Sequence, residues 1–284
     1  MKAAIYPNFQ KNNALECARK LCDILSENDF EIYIDNSFKN EFKDKQMVKY
    51  GCFDDIAGEA DFAIAIGGDG TILKCAKHLV DTDTKLLGIN TGRLGFMSAL
   101  EYDQLEQISR LKTGGYCISK RMMLNTKINN NGSLSEFEAL NDVSVSAVYA
   151  NICDFNIYAD EQLIGRYRAD GAVFSTPTGS TAYSLSAGGP IIEPEMECIE
   201  MTLICPHSLF ARPMIFSPNK KIKFENNCKR NPDMFICIDG GKPIKLSCGS
   251  WLEIAVSEHK IEIVDITGNT FYNSLNKKLM HPIK

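Results

Sequence analysis

Over its first hundred residues the chain alternates short apolar runs with stretches whose apolar residues recur every three or four positions. Lys2–Tyr6 predicts a strand, and Leu15, Ala18, Leu21, Cys22 and Leu25 then recur at helical spacing behind Asn12 or Asn13, either of which could cap the helix. Phe30–Ile34 predicts a second strand, and Asp61–Ile66 is a continuous apolar run suited to a parallel strand buried on both faces. A glycine turn, a helical stretch over 71–80 and the strand Lys85–Ile89 follow. Strands separated by helices in this rhythm predict a parallel, Rossmann-like α/β sheet.

Beyond a helical stretch over 103–111 the period changes. Short alternating runs at 122–128, 143–148, 154–159, 172–175, 201–205, 221–224, 235–238, 244–247, 252–256 and 260–266 are separated by turn residues such as Asn129-Asn130-Asn131-Gly132 and Asp239-Gly240-Gly241. They predict an all-β, sandwich-like region of two packed sheets. A helix-compatible insertion, Ser180–Ala187, interrupts it, and Phe271–Leu279 predicts a short terminal helix. The expected domains are therefore 1–100, α/β; 101–266, β-rich; and 267–284, a terminal segment that could pack back on the first domain. With no long linker, a site in a cleft between the two domains is the default expectation.

Composition narrows the class. The 284 residues are 44% hydrophobic and 24% charged, an ordinary soluble globular profile. Net charge is -5, and acidic side chains outnumber basic ones on both sides of residue 100, so a general affinity for nucleic acid or anionic membrane has no support. Eleven cysteines form no C-x-x-C, and the four histidines are scattered, which suits a reduced, cytoplasmic chain without a Cys/His zinc site. Cys153, Cys205 and Cys237 lie in apolar runs and read as small core residues. The N-terminus has no hydrophobic signal region, and no apolar run approaches membrane-spanning length.

Two segments carry chemistry. Gly67-Gly68-Asp69-Gly70-Thr71 joins a buried strand to a helix, where backbone N–H groups and the helix dipole favour phosphate. It is neither a Walker A loop nor a G-x-G-x-x-G fingerprint. A carboxylate repels an anion beside it, so Asp69 calls for a reason to be there. It could accept a proton from an attacking hydroxyl, help to hold a metal ion, or merely cap the helix. The second segment, Thr176-Pro177-Thr178-Gly179-Ser180-Thr181-Ala182-Tyr183-Ser184, is dense in hydroxyls that suit polar ligand oxygens. Arg168 and Asp170 precede it with a cation and an acceptor, and Tyr183 offers an aromatic face.

Together with Gly92-Arg93-Leu94-Gly95-Phe96, Asn141-Asp142, Cys205-Pro206-His207-Ser208-Leu209, Arg212-Pro213 and Asp239-Gly240, these segments resemble the NAD kinase family, in family order from about residue 60 to 240. The resemblance implies an α/β domain, a β-sandwich-like domain and a homo-oligomer, dimer or tetramer. It implies transfer of a phosphoryl group from ATP or polyphosphate to the 2′-hydroxyl of the adenosine ribose of NAD, with Mg²⁺ bound along with the donor. By position it makes Asp69 the catalytic carboxylate, beside Gly70. Gly67, Gly68, Gly70 and Thr71 become the donor loop, and Phe96 lines the adenosine side. Asn141 and Asp142 contact substrate hydroxyls and adenine, Asp142 being the shorter variant of an Asn-Glu pair. Arg168 and Asp170 fall on the nicotinamide side, and Thr178, Thr181, Ala182, Tyr183 and Ser186 surround the dinucleotide. Asp239 is expected to reach a site, in its own or a neighbouring subunit. No protein metal ligand is implied.

Trp251, His207, the pairs Lys220-Lys221 and Lys277-Lys278, and the acidic stretch ending at Glu200 read as packing, turn or solvated surface. A lipid kinase sharing the Gly-Gly-Asp-Gly loop is disfavoured by the hydroxyl-rich segment and by the lack of a membrane-docking stretch. A non-catalytic NAD(P) sensor would have little use for Asp69.

Overall fold

The computed structural model describes residues 1–92, 95–147, 151–228, 233–268 and 271–280. The chain forms two compact units: residues 1–120 with 261–284, and residues 121–260. These limits differ from the expected 100 and 266 because two long strands, β7 (Cys117–Asn130) and β18 (Trp251–Asp265), carry the chain from one unit into the other. In the sequence, β18 reads as two separate runs.

The first unit begins with β1 (Lys2–Pro7), α1 (Ala14–Glu27), β2 (Glu31–Asp35), β3 (Val48–Gly51) and α2 (Phe53–Glu59). It continues with β4 (Phe62–Gly67), α3 (Asp69–Ala76), β5 (Lys85–Asn90), β6 (Leu100–Glu101), a 3₁₀ turn Tyr102–Ser109 and α4 (Arg110–Thr113). The parallel sheet has the order β5-β4-β1-β2-β3. Every residue of β4 is buried, as its unbroken apolar run requires. On α1 the buried stripe is Ala14, Cys17, Ala18, Leu21, Cys22, Ile24 and Leu25; Leu15 faces outward, and Asn13 starts the helix from the left-handed region without a side-chain cap. After β3 the chain crosses back over the sheet to β4, so the topology switches direction between β1 and β4. The loops after those two strands meet at the switch point, where ligands of open α/β sheets bind.

In the second unit, β8 (Ser133–Ala139) forms a hairpin with β7, followed by β9 (Asp142–Ala147), β10 (Cys153–Ala159), β11 (Gln162–Ala169) and β12 (Gly171–Ser175). Then come α5 (Tyr183–Ser186), β13 (Ile199–Ile204), β14 (Met214–Phe216), β15 (Ile222–Asn226), β16 (Met234–Ile238) and β17 (Ile244–Leu246). One antiparallel sheet runs β14-β13-β12-β9-β16-β17, and a second runs β11-β10-β15 and onto the start of β18. Val143, Phe174 and Met201 of the first pack with Phe155, Phe224 and Leu252 of the second, the two-sheet core that the alternating pattern predicts. The helical continuation α6 (Phe271–Leu275), with the wide helical turn Asn276–Met280, returns to the first unit.

Several expectations change. Cys153 is buried, but Cys205 is exposed in a left-handed turn past the end of β13, and Cys237 is only half-buried. Glu200, expected on the surface, is fully buried, because its place on β13 turns it inward toward Ser184 and Thr202. Val148 of the expected strand 143–148, and Arg93 and Leu94 of the Gly92–Phe96 segment, lie outside the described residues.

Candidate functional site

In the first unit, β4 ends at the glycine loop and Asp69 opens α3. A Cβ on Gly67 would lie 2.3 Å from Thr71 Oγ1, whereas one on Gly68 or Gly70 would meet nothing within 4 Å. Gly67 therefore serves close packing, and the other two leave bare backbone beside open space, the condition for approach by a phosphate. Asn8, following β1, donates from Nδ2 to Thr71 Oγ1 at 3.3 Å, tying the two loops of the switch point.

The Asp69 carboxylate is held from three directions. Oδ2 accepts from the Phe96 N–H at 2.9 Å and Oδ1 from the Met97 N–H at 3.2 Å. Gly95 allows this approach, since a Cβ there would lie 2.1 Å from Oδ1. Lys278 Nζ stands 3.5 Å from Oδ2 and 3.9 Å from the centroid of the Phe96 ring. This corrects the expectation that Lys277-Lys278 is a solvated pair. Phe271 packs against the Phe96 ring, at 6.4 Å between centroids. Next to the loop a cavity of about 640 Å³ opens among Asn8, Asp35, Phe38, Lys74 and His78, with His78 paired to Asp54.

In the second unit the site is a turn. The Asp239 carboxylate accepts from the N–H groups of Leu140 at 3.0 Å, Asn141 at 2.7 Å and Asp142 at 3.2 Å. It is thereby directed at the backbone of its own chain, where the resemblance leads to an expectation of contact with substrate. The Thr176 hydroxyl donates to Leu140 O at 2.7 Å, and the Thr176 N–H donates to Asn141 O at 2.9 Å. Gly179 presses so close that a Cβ would lie 2.0 Å from Asn141 O. Most hydroxyls of the rich segment are spent internally: Ser180 donates to Pro177 O at 2.7 Å, and Ser184 to Glu200 Oε1 at 2.6 Å. Two buried oxygens, Asn141 Oδ1 and Thr178 Oγ1, have no partner among the described residues. Thr178 is 6% exposed and Asn141 8%. Burial, then the charge of Asp239, pushes the Asp142 carboxyl up to about 7.

Tyr183 is exposed at the start of α5, with Thr181 and Ala182 half-buried before it and Ser186 exposed. Partial burial and the nearby charges of Cys205, Asp142, Cys237 and Asp170 raise the Tyr183 phenol, so Asp142, Asp170 and Tyr183 share one neighbourhood. Arg168 forms a bidentate pair with Asp154 at 2.8 and 3.0 Å on adjacent strands.

Residues 4–115 match the ATP-NAD kinase N-terminal domain and residues 140–266 the ATP-NAD kinase C-terminal domain. The chain belongs to the NAD kinase family. It is 34% identical over 281 residues to an NAD kinase of Thermoanaerobacter sp. (strain X514), covering 98% of each chain. Its fold matches that of a yeast NADH kinase crystallised with NADH, with a TM-score of 0.90, 24% identity and coverage of 100% of this chain and 89% of the other. It also matches an NAD kinase from Archaeoglobus fulgidus in complex with ATP, with a TM-score of 0.75, 23% identity and 98% coverage of both chains. The two-domain architecture expected from sequence is thus the NAD kinase fold.

Three participants escape sequence reading of this NAD kinase-family chain. Lys278 lies 209 positions from Asp69 and has no local motif. Asn8 follows a strand with no glycine or phosphate signature. Gly95 is visible in sequence, but its reason, the Asp69 oxygen beside it, is tertiary.

Proposed function

We propose that the protein is an NAD kinase in which Asp69 receives the proton of the ribose 2′-hydroxyl as its oxygen attacks the donor's terminal phosphorus. The new O–P bond forms as the bond from phosphorus to the donor's leaving oxygen breaks, and the electron pair departs with that oxygen. The observation that carries this reading is a carboxylate oriented by two amides at the switch point of a parallel sheet, beside glycines with open space around them. Asn141, Asp142 and Thr178 bind and select the acceptor nucleotide. Buried hydrogen-bonding atoms without partners discriminate strongly against a ligand that leaves them unmet. The cavity lined by Asp35 and Lys74 supports a nucleoside-bearing donor: its carboxylate suits ribose hydroxyls and repels a bare polyphosphate.

Among the described residues no three His, Cys, Asp or Glu side chains gather as a metal site. Asp69, the one carboxylate of the glycine loop, would be the residue of that loop to face a Mg²⁺ accompanying the donor, and the ion would supply neutralisation of phosphate charge. Incubation with NAD, Mg²⁺ and either ATP or polyphosphate, with NADP as the readout, tests the assignment. ATP is expected to be the better donor; tight NAD binding with no NADP from either donor would leave a sensor.

Homo-oligomerisation is supported by Leu209 and Phe210, 89% and 90% exposed, leading to the edge strand β14 with Ile215 at 54%. Light scattering should find a dimer or tetramer that Phe210→Asp dissociates. The scattered cysteines, none in a C-x-x-C pair, suit a reducing, cytoplasmic setting. Thiol titration of the unfolded, unreduced protein should count all of them. Among the described residues no helix is long and apolar enough to cross a membrane.

A further inference from the structure

We propose that Lys278 is a positioning residue for phosphoryl transfer, its ammonium offsetting the Asp69 carboxylate so that an anionic donor can occupy the glycine loop. The inference rests on the reading of Asp69 and that loop as the site of transfer. A phosphate-binding loop that carries a carboxylate opposes its own ligand, since like charges a few ångströms apart repel strongly where water is scarce. The amides of Phe96 and Met97 orient Asp69 but bring no net charge. Lys278 does, from 3.5 Å.

The lysine is itself held. Its ammonium lies over the Phe96 ring face at 3.9 Å, and Phe271, earlier in the same terminal segment, packs against that ring. Lys278 and Asp69 side chains are 26% and 30% exposed, so solvent screens the pair only in part. Lys74, on the same helix as Asp69, lines the neighbouring cavity. The terminal segment thus delivers a cation to a carboxylate 209 residues earlier, in a place where a stabilising ion pair alone would contribute little. The role of Lys278 is electrostatic.

A double-mutant cycle tests this through binding rather than turnover. The Mg²⁺ complex of β,γ-methylene-ATP, which cannot transfer its phosphoryl group, is titrated calorimetrically into wild type, Lys278→Gln, Asp69→Asn and the double variant. Lys278→Gln should weaken binding about 10–100-fold in the wild-type background and less than about threefold when Asp69 is already neutral. In steady state the KM for ATP should rise while that for NAD changes less than about twofold, and Lys278→Arg should restore most of the loss. Equal weakening in both backgrounds would mean that Lys278 acts on the phosphates without Asp69 and would overturn the proposal. No weakening in either would also overturn it, as would a fall in melting temperature that accounts for the loss and that Lys278→Met reproduces. Normal turnover of Asp69→Asn would instead remove the role assigned to Asp69 in transfer, an outcome read separately from the binding cycle.

Discussion

The two units hold their polar groups in opposite ways. In the first, the oxygens of the Asp69 carboxylate are engaged by two amides and a lysine, and the glycines before and after it border open space. In the second, the candidate binding groups are buried and partly unanswered: Asn141 Oδ1 and Thr178 Oγ1 have no partner among the described residues, and Asp142 is pushed toward its neutral form. A charge held firmly beside empty space suits chemistry, because it needs no reorganisation when the reacting groups arrive. Buried hydrogen-bonding capacity left unmet suits recognition, because its desolvation cost is recovered only by a ligand that supplies the missing partners. The parallel sheet carries the first arrangement at its switch point, and the antiparallel sheet carries the second at a strand-end turn.

The largest effect should come from removing the charge of the first site. Asp69→Asn keeps the size of the side chain, but its amide nitrogen can no longer accept from one of the two N–H groups that orient it. If Asp69 takes the 2′-hydroxyl proton, kcat should fall by about 10²–10⁴ with NAD affinity little changed. If it acts mainly through Mg²⁺, higher Mg²⁺ should recover much of the rate. Near-normal kcat with an unaltered circular dichroism spectrum would reduce Asp69 to a helix-opening residue and collapse the contrast between the units.

A smaller effect, on stability, should separate the two carboxylates. Burial and the adjacent Asp239 raise Asp142 from the ordinary 3.8 to about 7. The folded state thus holds this proton more tightly than the unfolded state does. The stabilisation is full below the unfolded value and is lost as pH rises through the folded one. At most about 4 kcal/mol should disappear between pH ~4 and ~7, from about three pKa units at 1.36 kcal/mol each. Asp142→Asn removes that dependence. Urea unfolding at pH 5, 6, 7 and 8 should show the variant gaining on wild type as pH rises; parallel curves would refute the neutral-carboxyl reading.

The sequence makes the local parts of this contrast readable and hides the tertiary ones. The unbroken apolar run of β4, the glycine loop after it and the alternating strands of the second unit are short-range patterns, and each forms close to where it is predicted. The strand β3 and helix α2 are absent from the prediction because each is brief, at four and seven residues. The strand β11 escapes because only Ala169 in it is fully buried. The hydroxyl-rich segment is recognisable, yet which hydroxyls face a ligand is decided by Leu140, Pro177 and Glu200, residues up to 36 positions away. Asp239 and Lys278 show the limit most clearly: one is spent on backbone 97–99 positions earlier, the other on a carboxylate 209 positions earlier.

The smallest effect tests the recognition half and has an unusual signature. An unpartnered buried hydroxyl costs stability in the free protein, so Thr178→Val, which keeps the shape and removes the oxygen, should stabilise the unliganded protein by about 1 kcal/mol. The same change should raise the KM for NAD about three- to tenfold and leave that for ATP alone, because the lost partner belongs to the acceptor. Asn141→Ala should move the KM for NAD in the same direction, but it leaves a cavity and so should not stabilise. Thermal melts with and without NAD separate the two terms: the Thr178→Val advantage should shrink or reverse as NAD is added. If Thr178→Val melts lower than wild type without ligand, its hydroxyl is already satisfied within the fold, and the second unit would share the fully held character of the first.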